Sequence, residues 1–228
     1  MSGPGIEIQK LCFRIGNFEM ADLEVSVVRG EYFVLTGMNG SGKSLLLKLL
    51  CGVYRPGAGI IRINGCDVHD LPPWQRNIGY VPQEGGLFPN RTVQGNIAFG
   101  LEVRGVARDT RRKKVEGTAA MLGITHLLGR QPAGLSGGER QKASLARALV
   151  LEPDILLLDE PVSAIDEQSR DSVCRELREI QQRLGITTLH VSHNRLETAL
   201  VADRVGVIRD GRMQGTMPCE EWKASLPS

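Results

Sequence analysis

The chain has 228 residues, the size of one ordinary domain or a domain with a small subdomain, because single cores stop growing at roughly 250 to 300 residues. A hydrophobic fraction of 41% with 24% charge excludes broad disorder. Lys+Arg 28 against Asp+Glu 26 leaves +2, without the basic excess of a dedicated nucleic-acid binder.

In chain order, Ile6 and Ile8, then Leu23, Val25 and Val27, alternate with polar neighbours and predict half-buried strands of an antiparallel sheet. Residues 32–36 form a continuous apolar run that ends in a glycine loop, and Leu45, Leu46, Leu47, Leu49 and Leu50 follow as a buried helix. Turn signals around Pro56 and at Asn64-Gly65 bracket a short hairpin strand at 60–63. A further strand is expected at 78–81, stopped by Pro82. From Thr92 to about Leu151 the pattern is helical, with Val115, Ala119 and Leu122 on one face and a basic run at 111–114. That run reads as a solvated helix face, with a partner contact as the alternative.

Residues 155–158 are all apolar, as in strands buried on both faces of a parallel sheet. Val173, Leu177, Ile180 and Leu184 have helical spacing, with Gly185 as the stop. Strands are expected again at 187–191 and 204–208, the latter with an Asp210-Gly211 turn. Alternating strands and helices predict an α/β fold with a mostly parallel sheet, an antiparallel β part and an inserted helical segment over residues 85–151. The core and its antiparallel part then take 1–84 and 152–228.

Five scattered cysteines, without Cys-x-x-Cys spacing, point to a reducing compartment. No apolar run approaches the roughly 18 residues of a membrane span, and residues 1–5 lack the character of a signal peptide.

Only 4% of residues are aromatic while Gly counts 27, so loops are expected to carry the chemistry. Gly37-Met38-Asn39-Gly40-Ser41-Gly42-Lys43-Ser44 fits the phosphate loop Gly-x-x-x-x-Gly-Lys-Ser between a buried strand and a helix. Its backbone N–H groups turn inward on phosphate, Lys43 reaches the β- and γ-phosphates, and the Ser44 hydroxyl faces Mg2+. An ordinary glycine turn is the bland alternative. Asp159 and Glu160 end the apolar strand, where Asp159 can hold Mg2+ and Glu160 can polarise a water. Neighbours on a strand point to opposite faces, so the two acids need not share a role; a solvent-facing pair is the alternative. Leu135-Ser136-Gly137-Gly138-Glu139 opens a helix and offers a second anion site, although alone it is a flexible helix start.

Together these residues resemble the nucleotide-binding subunits of ATP-binding-cassette (ABC) transporters, from Ile6 to about Met217 and with the motifs in the family's order. The resemblance implies a P-loop NTPase (RecA-like) core, Walker A at 37–44, a Q-loop at Gln83, a signature at Leu135 to Glu139 and Walker B ending at Asp159, with Glu160 after it. It also implies a D-loop at Ser163-Ala164-Ile165-Asp166 and a switch histidine at His193 that contacts the γ-phosphate. Gln83 would join Ser44 and Asp159 around Mg2+. His190 reads as a packed core residue rather than a zinc ligand, since no Cys or acidic cluster is near in sequence.

The family's pattern further implies two copies packed head to tail, each holding ATP between its Walker A and the other's signature, on the inner face of a membrane. Two departures stand out: the usual adenine-stacking aromatic falls at Ile15, with Phe13 and Phe18 as substitutes, and Asn194 follows the switch histidine where Asp is common. Residues 87–101 resemble the import-type stretch that receives a separate permease, and 189–193 look most like molybdate and tungstate importers. The expected function is ATP-driven import through that permease, served indirectly by a substrate-binding protein and without nucleic acid. A soluble ABC ATPase of another kind and a non-hydrolytic nucleotide-binding regulator are the alternatives. No C-terminal regulatory domain is expected.

Overall fold

The strand pattern resolves into two sheets in the computed structural model, which describes residues 3–163 and 165–226. The first is antiparallel: β1 (Pro4–Ile15), β2 (Phe18–Val28), β4 (Ala58–Ile63) and β5 (Cys66–Asp67), in the order β2-β1-β4-β5. The second has six strands: β3 (Tyr32–Thr36), β6 (Ile78–Val81), β7 (Ile155–Asp159), β8 (Thr187–Val191), β9 (Arg204–Arg209) and β10 (Arg212–Pro218). Their order is β10-β9-β3-β8-β7-β6, parallel except for the β9-β10 hairpin.

Alternation along the central strands divides the interior in two. Tyr32 and Val34 of β3 and Leu156 and Leu158 of β7 face one core, while Phe33, Leu35, Ile155 and Leu157 face the other. The second core is closed by the antiparallel sheet and by α1 (Lys43–Cys51), whose Leu46, Leu47, Leu49 and Leu50 are all fully buried. Each such leucine contributes roughly 1.5 to 3 kcal/mol of transfer free energy. Gly52 ends α1 in the left-handed conformation, and the buried Arg76 guanidinium donates to the helix's last carbonyls, Leu49 O at 3.0 Å and Leu50 O at 2.9 Å. Burial of a cation is offset here by the carbonyl groups that a helix C-terminus leaves unpaired.

The first core is covered by α2 (Val93–Val103), α3 (Arg108–Met121), α4 (Gly137–Leu149) and α5 (Glu167–Leu184). All of the regular structure between β6 and β7 is helical. In the basic run on α3, Arg112 and Lys113 face solvent, Lys114 pairs with Glu152 at 2.8 Å, and Arg111 lies 4.0 Å from Glu102. Two short helices, α6 (Arg195–Val201) and α7 (Cys219–Ala224), had no clear periodic signal because each has at most two turns. No helix among the described residues is long and apolar enough to cross a membrane.

Four loops leave the carboxyl ends of neighbouring strands: residues 37–42 after β3, Ser192 and His193 after β8, Glu160 after β7, and Gln83 after β6. The crevice outside the carboxyl ends of a parallel sheet is where such folds place their ligands.

Candidate nucleotide site

The loop at 37–42 is shaped by what surrounds it. A Cβ on Gly37 would stand 2.2 Å from Ile208 O, so only glycine lets this strand end lie against β9. Gly42 has φ +103, and a Cβ there would meet the Phe18 ring at 2.7 Å. Gly211 N donates to Ser41 O at 3.1 Å, so the β9-β10 turn braces the loop.

Lys43 is 5% exposed, and its Nζ donates back to Gly37 O at 2.8 Å and Met38 O at 2.9 Å. Desolvation lowers its pKa, opposed by the nearby Glu160 and Asp159 carboxylates. Ser41 Oγ is buried and has no hydrogen-bond partner. A buried ammonium held by its own loop and an orphaned hydroxyl fit an anion that would supply the missing contacts.

Ser44 Oγ donates to Asp159 Oδ1 at 2.8 Å, and Tyr80 Oη donates to Asp159 Oδ2 at 3.1 Å. Both carboxylate oxygens are therefore pinned, and burial together with Asp159 pushes the Tyr80 phenol well above its ordinary pKa. A hydroxyl and a carboxylate are the hard oxygen donors that Mg2+ takes, and the pair fits that ion. Tyr80 escaped the motif reading because one strand tyrosine carries no spacing signal.

Glu160 departs from the expected alternation. Its φ of +47 lies in the left-handed region, unusual for a residue with a Cβ, while its N–H still donates to Val191 O at 3.0 Å. The turn brings both acids to one site. Gln83 Nε2 donates to Glu160 Oε2 at 3.2 Å, and His193 Nδ1 lies 3.0 Å from Glu160 Oε1. Gln83's own loop is anchored to α4 by Ser144 Oγ on Gly85 O at 2.6 Å and Arg147 Nη1 on Gly86 O at 2.5 Å.

A cavity of about 590 Å3 joins these parts; among its lining residues are Asn39, Gly40, Lys43, Ser44, Gln83 and Glu160. Its apolar end holds Ile15, Phe18 and Tyr54. Phe13 packs its ring against Tyr54 at 5.6 Å instead, leaving Phe18 as the substitute that faces the cavity. Met38 is 77% exposed beside the loop.

The Leu135 to Glu139 stretch is elsewhere. Gly137 lines a separate cavity of about 570 Å3 with Gln83, Arg140 and Ser163. Ser136 and Glu139 form a capping box, with Glu139 N donating to Ser136 Oγ at 3.3 Å and Ser136 N to Glu139 Oε2 at 2.8 Å. In the box the Ser136 oxygen only accepts, so its O–H and the Gly137 and Gly138 N–H groups stay outside it as donors. Those bonds to Ser136 also hold the Glu139 carboxyl below its usual range. Of the expected D-loop, Ser163 Oγ donates to Glu160 O at 2.9 Å and Asp166 caps α5, while Ala164 lies outside the described residues.

The fold and the crevice define a P-loop nucleotide-binding protein. The family model for ABC transporters matches residues 20–163. A molybdate/tungstate import ATP-binding protein of Thermococcus kodakarensis is 45% identical over 90% of this chain and 62% of its own length. One of the same name from Archaeoglobus fulgidus is 47% identical, over 88% of this chain and 82% of the relative. Proteins named for diacetylchitobiose uptake in Streptomyces coelicolor (84% of this chain, 51% of the relative) and sulfate/thiosulfate import in Chromobacterium violaceum (96% and 60%) match at 42% and 41%. Among solved structures, cbiO1 of Clostridium perfringens, part of an ABC transporter complex, superposes with a TM-score of 0.88 at 27% identity, covering 98% of this chain and 92% of that one. The chain belongs to the ABC transporter family. It spans between about three fifths and four fifths of the length of these first two relatives.

Proposed function

We propose that this chain is the ATP-binding and ATP-hydrolysing subunit of a solute importer, working as a pair of copies on a separate membrane permease. The observation that carries the reading is the placement of Glu160, its two carboxylate oxygens facing Gln83 and His193, in the cavity that Lys43 and Ser44 line. In this reading residues 37–44 cradle the phosphates, with Lys43 on the β- and γ-phosphates. Ser44, Asp159 and Gln83 are the residues that would hold Mg2+, which would supply charge neutralisation to the phosphates when bound. Glu160 orients a water and accepts its proton, and His193 donates toward the γ-phosphate. The base lies toward Phe18 and Tyr54.

A second copy supports completion of the site, because Gly137 lines a different cavity from Lys43 within one chain. Gly137 and Gly138 of each copy then cap the γ-phosphate held by the other. Residues 85–151 act as the helical arm that meets the permease, at the inner face of the membrane, with a substrate-binding protein delivering cargo outside. The relatives' names favour molybdate or tungstate as that cargo.

Two measurements test the reading. The purified chain with ATP and Mg2+ should turn over far faster than the Lys43→Ala variant; equal rates would overturn hydrolysis. In the complex reconstituted with permease and binding protein, molybdate or tungstate should stimulate turnover more than sulfate, and the reverse would reassign the cargo.

A further inference from the structure

Directly beneath His193 lies a set of polar groups that the proposed chemistry does not use. His190 on β8 is fully buried, Ser192 and Glu197 are 1% and 4% exposed, and Tyr32 is fully buried beside them. Tyr32 Oη lies 3.0 Å from His190 Nδ1. His190 Nε2 stands 2.8 Å from Glu197 Oε1, an ion-pair separation. Ser192 Oγ donates to Glu197 Oε2 at 2.5 Å. Burial pushes the Glu197 carboxyl up, and the neighbouring His190, Ser192 and His193 outweigh that, leaving it below the usual range.

The cluster grips the chain on both sides of His193. Ser192, before it, is held through its hydroxyl by the Glu197 carboxylate. Asn194, after it, donates its N–H to Ser192 Oγ at 3.0 Å, accepts Glu197 N at 3.1 Å on its side chain, and accepts Thr198 Oγ1 at 2.8 Å on its carbonyl. His193 itself has a side chain 55% exposed, and its imidazole contact is Glu160. Packing therefore does little to orient this ring; the turn that presents it does. A buried carboxylate is costly unless its partners are in place, so the network is held as a unit.

We propose that Glu197, with His190 behind it, is a positioning residue that sets the Ser192–Asn194 turn and thereby aims the His193 imidazole at Glu160 and the terminal phosphate. The inference rests on the reading of Glu160 and His193 as parts of a hydrolytic site. Loss of the Glu197 charge frees the turn, and a displacement of about 1 Å in a catalytic group costs on the order of 100-fold in rate.

A double-mutant cycle with a spectroscopic readout tests it. Glu197→Gln should lower kcat for ATP by about 10- to 100-fold with KM changed less than about threefold, and in a His193→Ala background it should cost less than about twofold more. In the ring-labelled protein without nucleotide, the His193 resonances should move on Glu197→Gln while those of His69 and His126 stay. Equal fold losses in both backgrounds, or an unmoved His193 signal, would overturn the proposal. Should Glu197→Gln not fold, Ser192→Ala removes the same link with a smaller perturbation, and an unmoved His193 signal there is equally fatal. A wild-type turnover no faster than Lys43→Ala sinks the hydrolytic reading alone, because the ring resonances still decide whether Glu197 places His193.

Discussion

His193 Nδ1 lies 3.0 Å from Glu160 Oε1, although 33 residues separate the two in sequence. Pairing of Asp159 with Val191 across parallel β7 and β8 brings them together, with each residue one or two positions beyond its strand. Gln83 reaches the same carboxylate from β6, on the other side of β7. Glu160 thus sits between the two groups best placed to report on a terminal phosphate.

Glu160→Gln keeps the shape and removes the proton acceptor. Turnover should fall by about 100-fold or more, the scale of general-base catalysis, while ATP still binds. With ATP and Mg2+ the variant should elute as a dimer in gel filtration; purely monomeric elution would count against the head-to-tail pair.

Phe18 faces the cavity along with Tyr54 and also lies over Gly42, and Ile15 in the same lining is 43% exposed. Phe18→Ala should weaken ATP by about 1 to 3 kcal/mol, the range of a lost base stack. Competition by inorganic tripolyphosphate separates the two contacts: its affinity should hardly change if Phe18 acts on the base, and should fall in parallel if the ring only shapes the loop. If the base has no stacking partner, ATP and GTP should bind within a few-fold of each other, and a strong ATP preference in the wild type would place Phe18 in that role.

Asn194 stands where Asp is common in the family, and it caps α6 by accepting Glu197 N. Either side chain can make that bond, so Asn194→Asp should leave the melting temperature within about two degrees of wild type, whereas Asn194→Ala should cost about 1 kcal/mol. Thermal melts of the three proteins check this; equal stability of the Ala variant would remove the capping role.

Burial pushes the Cys51 thiol from its ordinary value near 9 up to about 12, and Cys174 likewise to about 12. A raised thiol pKa keeps the proton on in the folded chain while the unfolded chain ionises above pH 9. The associated stability is therefore complete below pH 9 and is lost as pH climbs toward 12, by about 1.4 kcal/mol per pH unit for Cys51. Denaturant midpoints across that window should fall for the wild type and fall less for Cys51→Ala. At pH 8 a thiol reagent should label exposed Cys66 in the native protein and reach Cys51 and Cys174 only after unfolding.

What was legible in the sequence is what local spacing can carry. Phosphate loop, apolar runs and turn dipeptides each occupy fewer than about ten consecutive residues, and periods of two or 3.6 show directly which face is buried. On that basis β3, β6, β8 and α1 were readable almost to their ends, and Gly37, Lys43, Ser44 and Asp159 could be named as one site. Short α6 and α7 were not, since one or two turns give too few positions to establish a period.

The order β3-β8-β7-β6 was decided only by tertiary pairing, because which strands lie side by side depends on contacts between distant segments. That order gathered Gln83, Glu160 and His193, let Tyr80 pin Asp159, and left Gly137 in a cavity apart from Lys43. Backbone strain at Glu160 overrode the alternation that strand geometry alone would impose. Composition and spacing determined that this chain has a phosphate-loop motif in an α/β core and that His190 is packed inside it; tertiary packing determined which acid meets which partner, with Glu197, silent in the sequence, against His190.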